Sequence, residues 1–525
     1  MSLAKIGLTA FLGAITVNNG SAVAAPPVTS QSISALSDAM AAGSTNSVAI
    51  TRAYLARIAA VDKAGPRLSA VIALNPDAVT QAAALDAERT SGKVRGPLHG
   101  VPILIKDNIE SADNMPTTAG SLALKDNITR RDAPLVARLR AAGAIILGKT
   151  NLSEWANIRS GNSTSGWSAV GGLTRNPHSL LHNTCGSSAG SGAAMAAGLA
   201  AGTIGTETDG SIVCPSSING IVGFKPTLGM ISRRFIVPIS HSQDTPGPMT
   251  GNVRDAAIML SAMAGSDPED PATADADAHV TDFASGLSAQ GLKGLRIGLI
   301  SAKGGDPLLL AAARAKLMAA GAVIVPVAFS KADDAPMGKA EFAVLLAELK
   351  ADMATYLQAL PAGTVPHKTL ADLIAFNKAN AKTELRYFGQ DIFEAAEKTK
   401  GLSDPAYIAA RATSLRLAGP GGIDKLMAAH RLDLIVGQTN GPAWLTTLGK
   451  GDKFNPPSLS QLPAIAGFPH LTVPMGAVSG LPVGLSFIGA KWSDAKVLSA
   501  GYAFETVGRS LRVTPGYLRP LKRKR

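Results

Sequence analysis

Residues 185–227 read CGSSAGSGAAMAAGLAAGTIGTETDGSIVCPSSINGIVGFKPT, with nine glycines set among serines, threonines and alanines. So few large apolar side chains cannot form an ordinary core segment. Glycine admits backbone conformations closed to other residues and lets main-chain amides approach a ligand closely. Ser211 lies between Gly210 and Ile212 and follows Asp209, which suits a tight turn beside unpaired N–H groups. Attack on a carbonyl needs that combination of a nucleophile and preorganised donors for the developing oxyanion. The segment holds no histidine to serve as base. The best candidate is upstream, where Lys106 ends the apolar run of GVPILIKDNI (residues 100–109).

Outward from this stretch the chain alternates helical and strand patterns. Residues 33–42, 48–64 and 77–88 have helical spacing, and 69–74 reads as a strand. Residues 101–105 and 144–147 are continuous apolar runs, the pattern of strands buried on both faces. Asp132 is expected to cap a helix with Pro134 in its first turn, running to residue 142. The Ala/Gly-rich 189–201 reads as a closely packed helix, 203–205 as a short strand and 253–264 as a helix. An acidic, aperiodic segment at 265–283 is expected to be a surface loop. Strand patterns return at 295–300, 322–327, 434–436, 471–473 and 484–488, with helices near 340–360, 368–396 and 405–430. Such alternation predicts one α/β body, an open sheet covered by helices on both faces.

Bulk composition agrees. Over 525 residues, 46% are hydrophobic and 17% charged, which permits a large core and excludes wholesale disorder. The net charge of +12 is modest, and part of it lies in the run Arg519, Lys522, Arg523, Lys524 and Arg525, read as a solvated end. With 4% aromatics and no basic–aromatic interleaving, nucleic acid is not an expected partner. Lys5, an apolar run from Ile6 to Val17 and Ala22-Val23-Ala24 resemble a secretory leader over residues 1–24, so export to a periplasm or the medium is expected. No later stretch is long and apolar enough to predict a membrane span. Two cysteines, Cys185 and Cys214, exclude a disulfide scaffold and CxxC metal sites. Export would permit a bond between them, but small buried thiols are expected.

Two motif matches fail on context. GAIILGKT (residues 143–150) fits a phosphate-loop pattern, yet its middle residues look like the strand itself rather than a turn after one. Gly186-Ser-Ser188-Ala-Gly190 fits a GxSxG elbow, which needs an apolar strand before it and Asp and His partners after it. The preceding HNTC is polar, and none of His241, His279, His367, His430 and His470 has a persuasive setting.

A third pattern joins Lys106, Ser187 and Ser211. The run GTETDGSIVCP (residues 205–215) followed by GFKPT (223–227), with KDNI (106–109) and GKTNLSEW (148–155) upstream, resembles the amidase signature family. The likeness runs from about residue 30 to the C-terminal helix, with a signature core at about 66–260 in one amidase domain spanning 25–525. The resemblance implies the amidase signature fold, a single large α/β domain with a mixed sheet. It also implies that Ser211 is the nucleophile, that Ser187 relays protons and follows a cis peptide bond, and that Lys106 is the base. The amides of Thr208, Asp209, Gly210 and Ser211 would form the oxyanion hole, with no metal or organic cofactor. A base should titrate near 7–8, so lysine must fall by about 3 units from its reference value, which burial can supply. Asp107 would point to the opposite side of the strand.

Three positions depart from the family pattern: Glu207 for Asp, Asp209 for Gly, and Val213 for Arg. Asp209 either braces the turn or faces the substrate. TETDGSIVCP, NLSEWANIR (151–159), SHSQDT (240–245) and LADLIAFN (370–377) resemble the bacterial peptide amidases, which convert a peptide's C-terminal amide to the acid and ammonia. The expected partner is therefore a peptide or small-molecule amide, with no stable membrane insertion. Gln243 and Asp244 are candidates to border the cleft, or to form a turn. Alternatives are an aryl-acylamide or small-amide hydrolase with the same triad, an amide-transfer subunit feeding charged tRNA, and an inactive binding protein.

Overall fold

The computed structural model describes residues 27–330, 332–508 and 511–517. The expected leader (1–24) and the basic tail (519–525) lie outside them. Continuous apolar runs become the fully buried strands β2 Pro102–Lys106 and β3 Ile145–Thr150, which open the sheet with the partly exposed β1 Val71–Leu74. A small ribbon, β4 Trp167–Ser168 with β5 Gly172–Leu173, stands apart. Then follow β6 Gly202–Glu207, β7 Val222–Lys225, β8 Thr245–Thr250, β9 Arg296–Ile300 and β10 Val323–Val327. The last strands are β11 Leu434–Gln438, β12 His470–Val478 and β13 Leu481–Ile488. They form one eleven-stranded sheet in the order β1-β3-β2-β6-β8-β7-β12-β13-β11-β9-β10.

The sheet is mixed. β2 runs parallel to β3 and β6, whereas β6–β8, β8–β7 and β7–β12 are antiparallel. Its apolar side chains, among them Ile103, Ile105, Ile146, Ile204, Leu471 and Leu485, form the main core with helices such as Pro134–Ala141, Val253–Met263 and Asp494–Val507. Helices Asp334–Gln358, Leu370–Ala379 and Pro405–Ala418 form a separate layer between β10 and β11. Arg159 joins that layer to the body: fully buried, it pairs with Glu154 at 3.0 Å and with Glu384 at 3.7 Å. The result is a single large α/β domain of the expected class. Among the described residues no helix is long and apolar enough to cross a membrane.

Several local expectations are corrected. Asp132 does not cap its helix; Ala133 holds the N-cap position, and Asp132 instead accepts from the Ala112 amide and pairs with Arg140. The Gly-rich helix ends at Ala196, not residue 201, because β6 needs the chain extended from Gly202. β7 and β8 were not expected as strands. β8 carries Pro246 and Pro248, which normally argue against an interior strand. Here β7 pairs only with Met249 and Thr250, so neither proline has to donate to it. The acidic segment 265–283 is, by contrast, a surface loop as expected, pinned where Asp270 is buried against Arg233 and where Thr273 and Phe283 are buried.

The helix Ala189–Ala196 lies hard against the β1–β3 edge, as its composition suggested. A Cβ on Gly190 would stand 2.3 Å from the Asn151 carbonyl and 2.4 Å from that of Ala70. Both obstacles are backbone, so they cannot rotate away. Gly190→Ala is therefore expected to cost about 1–3 kcal/mol, seen as a lower melting temperature in parallel scans; an unchanged midpoint would contradict this packing.

Candidate active site

Lys106 is the last residue of β2, and the strands on both sides bury it completely. Its Nζ lies 2.7 Å from Ser187 Oγ, 2.8 Å from Thr206 Oγ1 and 3.2 Å from the Thr206 carbonyl. All three partners are uncharged. Burial pulls its pKa from the ordinary lysine value to about 7, against weaker opposing pulls from Asp244 and Glu207. An ammonium must donate all three N–H groups, whereas a neutral amine has two N–H groups and one lone pair. With the two Thr206 oxygens taking the N–H groups, the lone pair is left for the Ser187 hydroxyl. Asp107 turns away, as the strand alternation predicted, and faces Lys149 at 3.8 Å. The lysine of the rejected phosphate-loop match is thus a buried strand residue paired with a carboxylate.

The peptide bond between Gly186 and Ser187 is cis. The Ser153 amide donates to the Ser187 carbonyl at 3.0 Å, and the Ser188 amide to the Ser211 carbonyl at 3.2 Å. These bonds tie the turn to both neighbouring segments. Ser188 itself is a strut: its hydroxyl donates to the Thr206 carbonyl at 3.0 Å and accepts from the Thr206 amide at 3.2 Å. Ser211, by contrast, lines a cavity of about 530 Å³ together with Gly186, Thr208, Asp209 and Gly210. None of the amides of residues 208–211 donates to a backbone carbonyl among the described residues, and that of Gly210 lies toward the Glu207 carboxylate.

Glu207, one of the unusual residues, supports this loop. Its carboxylate accepts from the amides of Ile212 and Val213 at 2.8 and 3.0 Å, at the start of the helix Val213–Ile218. Buried Lys225, from the GFKPT run, supplies the compensating charge, and burial lowers its pKa to about 8. Asp209 does not point away. Its side chain lines the cavity, where the Ser460 hydroxyl meets it, and burial together with the nearby Glu341 pushes its carboxyl upward.

Gln243 and Asp244 are brought near but do not line the Ser211 cavity. Gln243 is buried and donates to the Thr208 carbonyl at 3.1 Å and to Glu341 at 3.0 Å. Asp244 accepts from the Thr208 hydroxyl at 2.6 Å and from the amides of Ile239 and Ser240, bracing the loop from behind. It borders a second cavity, of about 390 Å³, that does not reach Ser211. Asn108, which donates to Thr206 Oγ1 at 3.0 Å, Ser460 and Glu341 belong to the site and were missed. Asn108 stood in the quoted KDNI, but nothing local marks Glu341 or Ser460.

Cys185 and Cys214 are not thiols; their sulfurs are bonded, which joins the residue before Gly186 to the helix after Ser211. The expectation failed because distance in sequence hid their proximity in space. Of the histidines, His470 is buried against Ser486, His279 stacks on Trp492, and His241 sits against Asp352 and Glu348. His241, Glu348 and Asp352 could present one metal-ligating atom each. However, the Glu348 oxygens already accept from Ser240, Ser242 and Tyr407, so this cluster acts as a hydrogen-bonded latch.

Comparison with known proteins places this geometry. A family model described as Amidase matches residues 49–498. The native peptide amidase of Stenotrophomonas maltophilia is 51% identical, with a TM-score of 0.89, covering 94% of this chain and 99% of that one. A probable amidase of Arabidopsis thaliana is 38% identical over 85% of this chain and 84% of its own length. One subunit of the glutamyl-tRNA(Gln) amidotransferase of Moorella thermoacetica is 36% identical over 90% of this chain and 95% of its own.

Glu207→Ala would leave two buried amides without an acceptor, at about 1–3 kcal/mol each. Glu207→Gln keeps one acceptor oxygen. The alanine variant is therefore expected to melt several degrees below the glutamine variant. Equal melting temperatures would contradict the bracing role.

Proposed function

Since the chain belongs to the amidase signature family and so hydrolyses amide C–N bonds, we propose that it is a serine amidohydrolase acting on the C-terminal amides of peptides. Ser211 is the nucleophile, Ser187 the relay and Lys106 the base. The observation that carries this reading is a fully buried lysine whose hydrogen-bond partners among the described residues are all uncharged, one of them the Ser187 hydroxyl.

In this mechanism neutral Lys106 takes the Ser187 proton while Ser187 takes that of Ser211, and Ser211 Oγ bonds to the amide carbon. The amides of residues 208–211 hold the oxyanion. Collapse breaks the C–N bond, and the proton returns through Ser187 to the departing ammonia. Water then attacks the acyl-enzyme, gives its proton to the same relay, and releases the acid as Ser211 regains its hydrogen. The high identity to a peptide amidase, over nearly the whole of both chains, supports the peptide substrate. The leader-like N-terminal sequence and the Cys185–Cys214 bond support export to an oxidising compartment.

Below about pH 7 Lys106 is an ammonium with no lone pair, so kcat/KM is expected to fall along an acid limb with an apparent pKa near 7. Lys106→Ala should remove that limb and lower the rate by about 10²–10⁴. Wild-type activity in Lys106→Ala would remove the base from the account. Ammonia release from peptide amides, aryl amides and free glutamine, measured in parallel, tests the substrate class; the peptide amides should lead, and preference for either of the others would overturn the peptide reading.

A further inference from the structure

Asp209 occupies a position where the wider pattern has glycine, two residues before Ser211. Side chains lining the Ser211 cavity are otherwise hydroxyl, carboxamide or apolar, such as Asn157, Asn440, Leu345 and Phe454. The two cysteines there are bonded to each other and do not titrate. Among the described residues lining this cavity, Asp209 is thus the one ionisable group, and no cation faces it there.

Behind it stands Glu341, a buried carboxylate fixed by two side-chain amides, Gln243 at 3.0 Å and Gln461 at 2.8 Å. Gln243 also holds the Thr208 carbonyl at 3.1 Å, so the carboxyl pair is built into the same loop that carries Ser211. Among the described residues Glu341 receives two N–H donors and has no ion-pair partner. The pair therefore holds one negative charge readily and a second only when a cation approaches Asp209.

We propose that Asp209, backed by Glu341, is a charge-selecting residue of the substrate cavity that favours amides with a cationic or uncharged group next to the scissile carbonyl and rejects those with a carboxylate there. This deepens the peptide-amide reading and rests on it. Like charges brought together in a partly desolvated site cost several kcal/mol. The same repulsion acts on the product, whose new carboxylate forms at Ser211, beside Asp209. Asp209 thus helps expel the acid once hydrolysis is complete.

The test uses the full-length enzyme and three N-acetylated dipeptide amides: alanyl-lysine, alanyl-glutamine and alanyl-glutamate. Wild-type kcat/KM should fall in that order, with lysyl at least about tenfold above glutamyl. Asp209→Asn and Asp209→Gly, which both keep the backbone amide, should shrink that ratio by about tenfold and strengthen inhibition by the acetyl-alanyl-glutamine acid product. Glu341→Gln removes the neighbouring charge that opposes ionisation of Asp209, so it should keep or widen the ratio, which separates charge selection from damage to the turn. An unchanged ratio in Asp209→Asn and Asp209→Gly would overturn the proposal, as would a ratio lost in Glu341→Gln or a wild-type enzyme that prefers the glutamyl amide. If the wild type hydrolyses none of the three but does hydrolyse aryl amides, the peptide reading fails instead, and lysine- and glutamate-derived anilides then give the same ratio test of Asp209.

Discussion

The hydrogen bond between Ser187 Oγ and Lys106 Nζ, 2.7 Å long and closed to water, is the constraint around which the rest of the structure is arranged. A lysine at the end of a strand would ordinarily be charged and solvated. Here β2 lies between β3 and β6, so the strand that delivers the lysine also desolvates it. Thr206, on β6, then takes two of its donor directions. Sheet order, burial and proton affinity are one design. Moving Lys106 to an edge strand would restore its charge and remove the lone pair that faces Ser187.

The second half of the design is the turn opposite. Ser187 and Ser211 come from segments separated by a helix and a strand, and three links hold them together. One is the Ser188 amide on the Ser211 carbonyl, another is the Ser188 hydroxyl on Thr206, and the third is the bond between Cys185 and Cys214. Glu207 and Lys225 do the same for the start of the following helix. The unusual residues of the signature run are accordingly not defects. Glu207 reaches two amides with its carboxylate, and Asp209 is the one ionisable group among the described residues lining the Ser211 cavity.

What was legible in the sequence depended on whether the signal was local. The buried strands around residues 102–106 and 145–150 announced themselves by unbroken apolar runs, and the Ala/Gly helix by its need for close packing. Lys106, Ser187 and Ser211 were marked by motif, and the structure brings Lys106 against Ser187 with Ser211 at the cavity wall. Strand β8 was hidden because two prolines mask it, and its tolerance depends on how little of it β7 pairs with. Glu341 and Ser460 depend on contacts between distant segments, and the Cys185–Cys214 bond on how a helix and a strand fold back between two cysteines of one stretch. Asp132 had the right residue type for a cap but was drawn to Arg140 and the Ala112 amide instead.

The central claim is that a neutral, buried Lys106 activates Ser211 through Ser187. It is tested most directly by the rate and site of fluorophosphonate modification as a function of pH, read by peptide mass spectrometry in the wild type and in Lys106→Met. The account predicts a single adduct on Ser211, formed at a rate that rises through an apparent pKa near 7 in the wild type and loses that dependence in Lys106→Met. An adduct on Ser188, or a labelling rate with the same pH dependence in both proteins, would contradict it.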